Sequence, residues 1–339
     1  MSTDIDNNVE MPQMGYDVVI VTFLRPNKLR NCLKAVSKLY PPPNKVIVVD
    51  QTSLPISEAH EKIHPSSLRE VYRSIKKYEE VYQEYRKIFG KRLKIIRIEF
   101  DSGLAKSRKA GFMESEADYI FIIDDDIYLP SDAPKIAEIL EENNNIGGVA
   151  LLLKDGERIV CTAGDIEIIR GHARVNANIR RKTIHRTRNG LRFIIFDYIP
   201  NCALFRRACL EDYAWDEFFK IEEHADFYLT HKKLGKWRFA ITLDCIAVHD
   251  HRKGEKPVYQ RLRWRYDLLL ESLEYLTKKH GIKSFVVENV FLTRHVRLKD
   301  KIYKLILFKI LPRQLYWELY TKWLLPHRLR GRLFTIETS

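Results

Sequence analysis

Four short apolar runs, each closing on or beside a polar residue, limit most strongly what this chain can fold into. Tyr16 to Thr22 reads YDVVIVT, Lys45 to Asp50 reads KVIVVD, Lys94 to Ile98 reads KIIRI, and Tyr119 to Asp124 reads YIFIID. Such runs, rich in β-branched residues and lacking polar alternation, suit strands buried on both faces of a parallel sheet. Helical patterns separate them. Lys28 to Leu39 places Leu29, Cys32, Leu33 and Val36 on one face and is stopped by Pro41 to Pro43. Residues 66–90 read as a highly charged helical insertion, and Gly103 to Ser115 as a third helix. Repeated strand–helix alternation predicts a doubly wound α/β sheet, whose ligands sit at the carboxyl ends of the strands. Thr22, Asp50 and Asp124 fall at those ends.

Chemistry gathers in three places. Asp124, Asp125 and Asp126 follow the fourth apolar run directly. Adjacent carboxylates at a strand end repel one another, and a hard divalent cation, Mn²⁺ or Mg²⁺, relieves the repulsion with phosphate oxygens completing its shell. The plainer alternative is a solvated turn with an Asp cap. Glu222-Glu223-His224-Ala225-Asp226 introduces a helical stretch, Phe227 to Leu234, ending at Gly235. Acids in a first helical turn also suit the helix dipole and need no further role. Ile246 to His251 closes another apolar run with two histidines flanking Asp250. Either His249 or His251 could serve a metal or be structural. Arg108 offers a fork of donors fitted to phosphate or ribose oxygens, or a surface ion pair. Asp50 reads equally as a strand-end cap.

These residues carry a resemblance. V-V-I-V-T-F-L-R-P (18–26), V-I-V-V-D-Q-T-S (46–53), G-L-A-K-S-R-K-A-G-F (103–112) and Y-I-F-I-I-D-D-D (119–126) occur in the order and spacing of family 2 glycosyltransferases with a GT-A fold. Residues 16–250 resemble that family. The resemblance implies a GT-A (Rossmann-like) α/β mixed sheet flanked by helices over 16–255. It also implies a D-x-D motif in which Asp126 ligates the metal, Asp124 contacts metal or ribose, and Asp125 belongs to the donor site. Thr22, Phe23, Arg25 and Asp50 match positions lining the nucleotide base and ribose. Gly103 and Arg108 match a G-x-x-x-x-R element beside the nucleotide, with Lys109 standing where the family has Asn. His249 matches the histidine that completes the metal shell.

W-D-E-F-F-K-I (215–221) followed by E-E-H-A-D (222–226) resembles a segment of some GT-A N-acetylgalactosaminyltransferases. Its acidic residues supply the base, which must take a proton from an acceptor hydroxyl. Glu223 is the first match, Asp226 the second, and His224 stands where other members place the base. Asp197 to Cys202 is expected to form part of the acceptor or sugar wall. The activity implied is metal-dependent, inverting transfer of a sugar from a nucleotide-diphosphate sugar, expected to be a UDP-sugar, to a hydroxyl of a glycan or lipid-linked acceptor. Competing classes are a nucleotidyltransferase on a related scaffold and a non-enzymatic protein that binds membrane or nucleic acid.

Charge sorts these further. The net +13 is uneven: residues 251–339 hold 20 Lys and Arg against 8 Asp and Glu, leaving 38 against 37 elsewhere. A nearly neutral body thus precedes a basic helical region, 256–339. Residues 258–280 read as one amphipathic helix, and 301–334 alternate basic with bulky apolar side chains. The latter pattern suits either a helix at an anionic membrane surface, through 291–339, or a helical cap on the body. A nucleic-acid partner is not expected, since no zinc, helix-turn-helix or single-strand-binding signature accompanies the charge. No apolar run reaches membrane-spanning length. Residues 1–15 read as a flexible leader without signal-peptide character, and five cysteines without C-x-x-C spacing read as reduced thiols. A cytoplasmic protein, peripheral on the inner face of the cell membrane, is the expected setting.

Overall fold

The computed structural model describes residues 15–52, 65–156, 158–176, 181–200, 202–250, 257–263, 265–287 and 290–291. The first half alternates as expected: β1 (Tyr16–Thr22), α1 (Pro26–Val36), β2 (Lys45–Asp50), α2 (Pro65–Phe89), β3 (Leu93–Arg97), α3 (Leu104–Glu114) and β4 (Tyr119–Asp124). β1 lies between β2 and β4, and β2 pairs with β3, all in parallel. Successive strand residues point to opposite faces, so each strand feeds two cores. Val18 and Ile20 pack with Leu29 and Leu33 of α1 and with Val81 and Tyr85 of α2. Val19 joins the other core, with Ala105 and Phe112 of α3. Gly111 lets α3 lie this close, since a Cβ there would come within 2.2 Å of Val19 Cγ1.

The second half continues with β5 (Ile127–Tyr128), α4 (Ala137–Glu142), β6 (Ile146–Asp155), β7 (Arg158–Cys161), β8 (Asp165–Ile169), β9 (His172–Asn176), β10 (His185–Arg186), β11 (Arg192–Phe196) and β12 (Ala203–Arg206). α5 (Arg207–Asp212), α6 (Glu223–Leu234), β13 (Arg238–His249), α7 (Pro257–Arg263), α8 (Tyr266–His280), β14 (Ser284–Val287) and β15 (Val290–Phe291) follow. The main sheet has the order β10-β11-β13-β6-β12-β4-β1-β2-β3, and β14-β9-β8 form a small second sheet. β12 runs antiparallel to both β4 and β6, which makes the sheet mixed. A mixed α/β sheet flanked by helices is therefore the fold.

The stretch 258–280 is not one helix, as its periodicity predicts, but two. Arg265 takes an extended conformation and starts α8 afresh. The two halves bury their apolar faces on different partners, which one straight helix cannot do. Val258, Tyr259 and Leu262 of α7 pack with Phe23, Leu24, Val71 and Phe100. Leu269, Leu273 and Leu276 of α8 join the core on the α3 side of the sheet. β14 then pairs in parallel with β9. Residues 257–287 are thus packed onto the sheet. Residues 1–14, His251 and the basic stretch 301–334 lie outside the described residues. No helix among the described residues is long and apolar enough to cross a membrane.

Candidate active site

Pairing of β1 with β4 sets Val21 opposite Asp124 and so brings Thr22 beside Asp125. The Thr22 hydroxyl donates to Asp125 Oδ2 at 2.6 Å and accepts from the Tyr78 hydroxyl of α2 at 2.7 Å. Tyr78 in turn accepts from the Arg25 backbone N–H at 2.8 Å. The Arg25 guanidinium spans two carboxylates, pairing with Asp125 and donating to Asp126 Oδ2 at 2.8 Å. Asp125 is fully buried. Burial pushes its carboxyl up to about 7, opposed by Arg25 and reinforced by Asp126. Leu24, between Phe23 and Arg25, has φ of 55°, a left-handed conformation rare for a bulky residue. Its N–H is anchored on the Thr52 hydroxyl at 3.0 Å.

The far end of β13 closes the other side. It pairs with β5 so that His249 faces Ile127, and the Asp250 N–H donates to the Asp126 carbonyl at 2.8 Å. His249 Nε2 thereby lies 3.9 Å from Asp126 Oδ2. His249 and Asp250 thus lie beside the carboxylates that follow β4. A carboxylate oxygen and an imidazole nitrogen converging here fit a divalent cation whose other positions come from ligand oxygens. Asp124 is not drawn into this pair. Its Oδ1 accepts from Arg108 at 2.8 Å, and among the described residues no three His, Cys, Asp or Glu side chains converge as a metal-holding group.

Arg108 links the two acidic clusters. It projects inward from α3 and is 1% exposed, with one end of its guanidinium on Asp124 and the other on Glu223, itself 1% exposed. Glu223 opens α6, next to Glu222, whose φ of 62° is a second left-handed site. His224 Nε2 stands 3.2 Å from Glu223 Oε1. Gly103 enters α3 with φ of 96° and packs on the Lys220 backbone, where a Cβ would come within 2.6 Å of Lys220 Cα. Its N–H donates to Gln51 Oε1 at 2.9 Å. Asp226 joins neither cluster. Its oxygens accept from His280 at 2.8 Å, pair with Lys279 at 2.9 Å and accept from the Tyr213 hydroxyl, which fastens α8 to α6.

The remaining expected residues border the same strand ends. Asp50 accepts from the Thr52 N–H at 2.7 Å and the Tyr82 hydroxyl at 2.6 Å. Burial raises its carboxyl above the ordinary value, with Tyr82 and Thr52 opposing. Phe23 stacks edge-on against Phe100, and Tyr259 of α7 lies 4.6 Å from the Arg25 guanidinium. Asp197, expected in the acceptor or sugar wall, is buried and pairs with Lys232 and Arg238. Three residues absent from the sequence-based set matter here: Gln51, Tyr78 and Tyr82. The two tyrosines come from α2, read from sequence as a charged insertion. Their signal was present, since Tyr78, Val81, Tyr82, Tyr85 and Phe89 form an apolar stripe at helical spacing.

Residues 73–214 match the family model described as glycosyl transferase family 2, a span that contains Gly103, Arg108 and Asp124 to Asp126. That segment is similar to the glycosyl transferase family 2 model, and it takes in both α3 and the strand-end carboxylates. Thr22, Arg25, Asp50, Glu223 and His249 lie outside the matched span. No curated protein matches the sequence. Solved structures similar to this chain include S. aureus TarS, at 16% identity over 78% of this chain and 40% of that one, TM-score 0.42. TarS 1-349 in complex with UDP-GlcNAc covers 78% and 67% at 16% identity, TM-score 0.47. GalNAc-T7 with UDP, GalNAc and Mn²⁺ covers 80% and 56% at 15% identity, TM-score 0.47. The mannosyltransferase PcManGT from Pyrobaculum calidifontis, with GDP-Man and Mn²⁺, covers 78% and 67% at 11% identity, TM-score 0.46. The chain thus spans well under two thirds of the full TarS chain.

Proposed function

We propose that this protein is a metal-dependent, inverting glycosyltransferase that moves a sugar from a UDP-sugar to a hydroxyl of a glycan or lipid-linked acceptor. The convergence of Asp126 with His249 at the carboxyl ends of the strands carries the proposal. In that cluster Asp124, Asp125, Asp126 and Glu223 face two guanidiniums, Arg25 and Arg108, and the surplus negative charge favours a divalent cation. Asp126 and His249 would hold Mn²⁺ or Mg²⁺, with Asp124 nearby, and the histidine favours Mn²⁺. When bound, such an ion supplies Lewis-acid neutralisation of a leaving diphosphate.

The protein's own groups do the rest. Thr22, Phe23, Asp50 and Gly103 border the nucleotide, and Thr22 holds Asp125 in place. Arg25 and Arg108 offer guanidinium donors to diphosphate or ribose oxygens. The start of α6, with Glu223 and His224 side by side, supplies the proton acceptor that the attacking hydroxyl requires. The basic region 291–339 docks on an anionic membrane surface, in keeping with its mixture of cations and bulky apolar residues. The test is incubation with a panel of sugar nucleotides and Mn²⁺, with and without chelator. Metal-dependent release of nucleoside diphosphate is expected. Release of pyrophosphate instead would establish nucleotidyl transfer, and no turnover with any donor would contradict both.

A further inference from the structure

A carboxylate that accepts a proton from an acceptor hydroxyl must meet that hydroxyl. Glu223 is poorly placed to do so. It is 1% exposed, and its Oε1 is committed to the Arg108 guanidinium. The next side chain has the opposite character. His224 is 23% exposed, follows Glu223 in the first turn of α6, and turns Nε2 to within 3.2 Å of Glu223 Oε1. A buried carboxylate behind a partly exposed imidazole fixes the ring's orientation and tautomer and offsets the charge that the ring gains on protonation. Histidine is the side chain that most often takes a proton from a reacting group.

From this geometry we infer that His224 is the base and Glu223 its positioning residue, with Arg108 anchoring Glu223 to the donor side through Asp124. The inference rests on the transfer activity proposed above. The acceptor hydroxyl oxygen forms a bond to the anomeric carbon as the bond from that carbon to the diphosphate oxygen breaks. The bonding pair leaves with the diphosphate. The hydroxyl proton passes to the ring nitrogen of His224 that does not face Glu223, and the Glu223 carboxylate keeps its charge throughout. Arg108 thus ties the group that handles the proton to the cluster that handles the leaving group. The left-handed backbone at Glu222, costly for a residue with a side chain, sets the direction in which this first turn projects.

The test uses the full chain with Mn²⁺ and the sugar nucleotide that the panel identifies, and follows nucleoside diphosphate release to an acceptor or to water. His224→Gln should lower kcat by about 10²- to 10⁴-fold with donor KM within about twofold. Glu223→Gln should also lower kcat at unchanged donor KM, and Glu223→Asp should recover part of the loss. The double variant should be no slower than the slower single variant, because the two side chains act as one unit. His224→Ala should regain turnover on addition of imidazole, which a merely structural role would not allow. A His224→Gln enzyme within threefold of wild type, or a double variant whose loss is the product of the single losses, overturns the inference. Absence of turnover in the wild type with every donor overturns the transfer activity, and this role with it.

Discussion

Arg108→Met keeps the length of the side chain and removes the guanidinium between Asp124 and Glu223. The two partners suffer unequally. Asp124 is a quarter exposed and regains water, whereas Glu223 is left as a charge at 1% exposure. Breaking a buried pair from one side typically costs about 3–5 kcal/mol, most of it from the orphaned charge. For a chain of this size each kcal/mol moves the unfolding midpoint by roughly 2 °C, so thermal unfolding followed by circular dichroism should show a fall of about 6–10 °C. The double variant Arg108→Met/Glu223→Gln removes the orphaned charge and should regain several degrees of that loss. A single variant within about 2 °C of wild type would refute the claim that Arg108 neutralises a buried charge. So would a double variant no more stable than the single one.

The pH response of α6 offers a second check. His231 is buried, its Nε2 on the Tyr213 carbonyl at 3.0 Å, and burial lowers its imidazole from 6.5 to about 4. The unfolded chain therefore binds a proton between those values that the folded chain refuses. The contribution is complete above pH 6.5 and lost as pH falls through 4, about 3 kcal/mol in all. Denaturant titrations of wild type and His231→Gln should show the gap between them narrowing by that amount from pH 7 to pH 4; a constant gap contradicts it. Gly103→Ala should cost about 1–3 kcal/mol in the same titrations, because the new Cβ meets the Lys220 backbone at a positive φ. A neutral effect there would mean that the loop before α6 does not bear on α3.

The first four strands were legible because each must be apolar on both faces, which leaves an unbroken run in the sequence. β1, β2 and β4 have the bounds those runs predict, and β3 differs by one residue. The helix over 66–90 was legible too, but its purpose was not. Its charged face dominates the composition, while Tyr78 and Tyr82 on the other face hold Thr22, the Arg25 backbone and Asp50. Pairings across the chain were the least legible. Arg108 and Glu223 are 115 positions apart, and which carboxylate an arginine takes depends on how two helices meet, not on spacing. Asp226 shows the same limit. The sequence pattern offers it as a second base, and the fold gives its oxygens to Tyr213, Lys279 and His280. Lys279 and His280 of that network come from α8, within the region that charge alone sets apart from the body.

The most direct test of the central claim compares wild type with Asp126→Ala for Mn²⁺-dependent release of nucleoside diphosphate from the sugar nucleotide the panel identifies. Asp126 is the carboxylate that meets His249, and its removal also relieves repulsion with its neighbours, so the fold should survive. The expected result is loss of turnover in Asp126→Ala with an unfolding midpoint close to wild type. Retained metal-dependent turnover in a folded Asp126→Ala protein would contradict the account of the site.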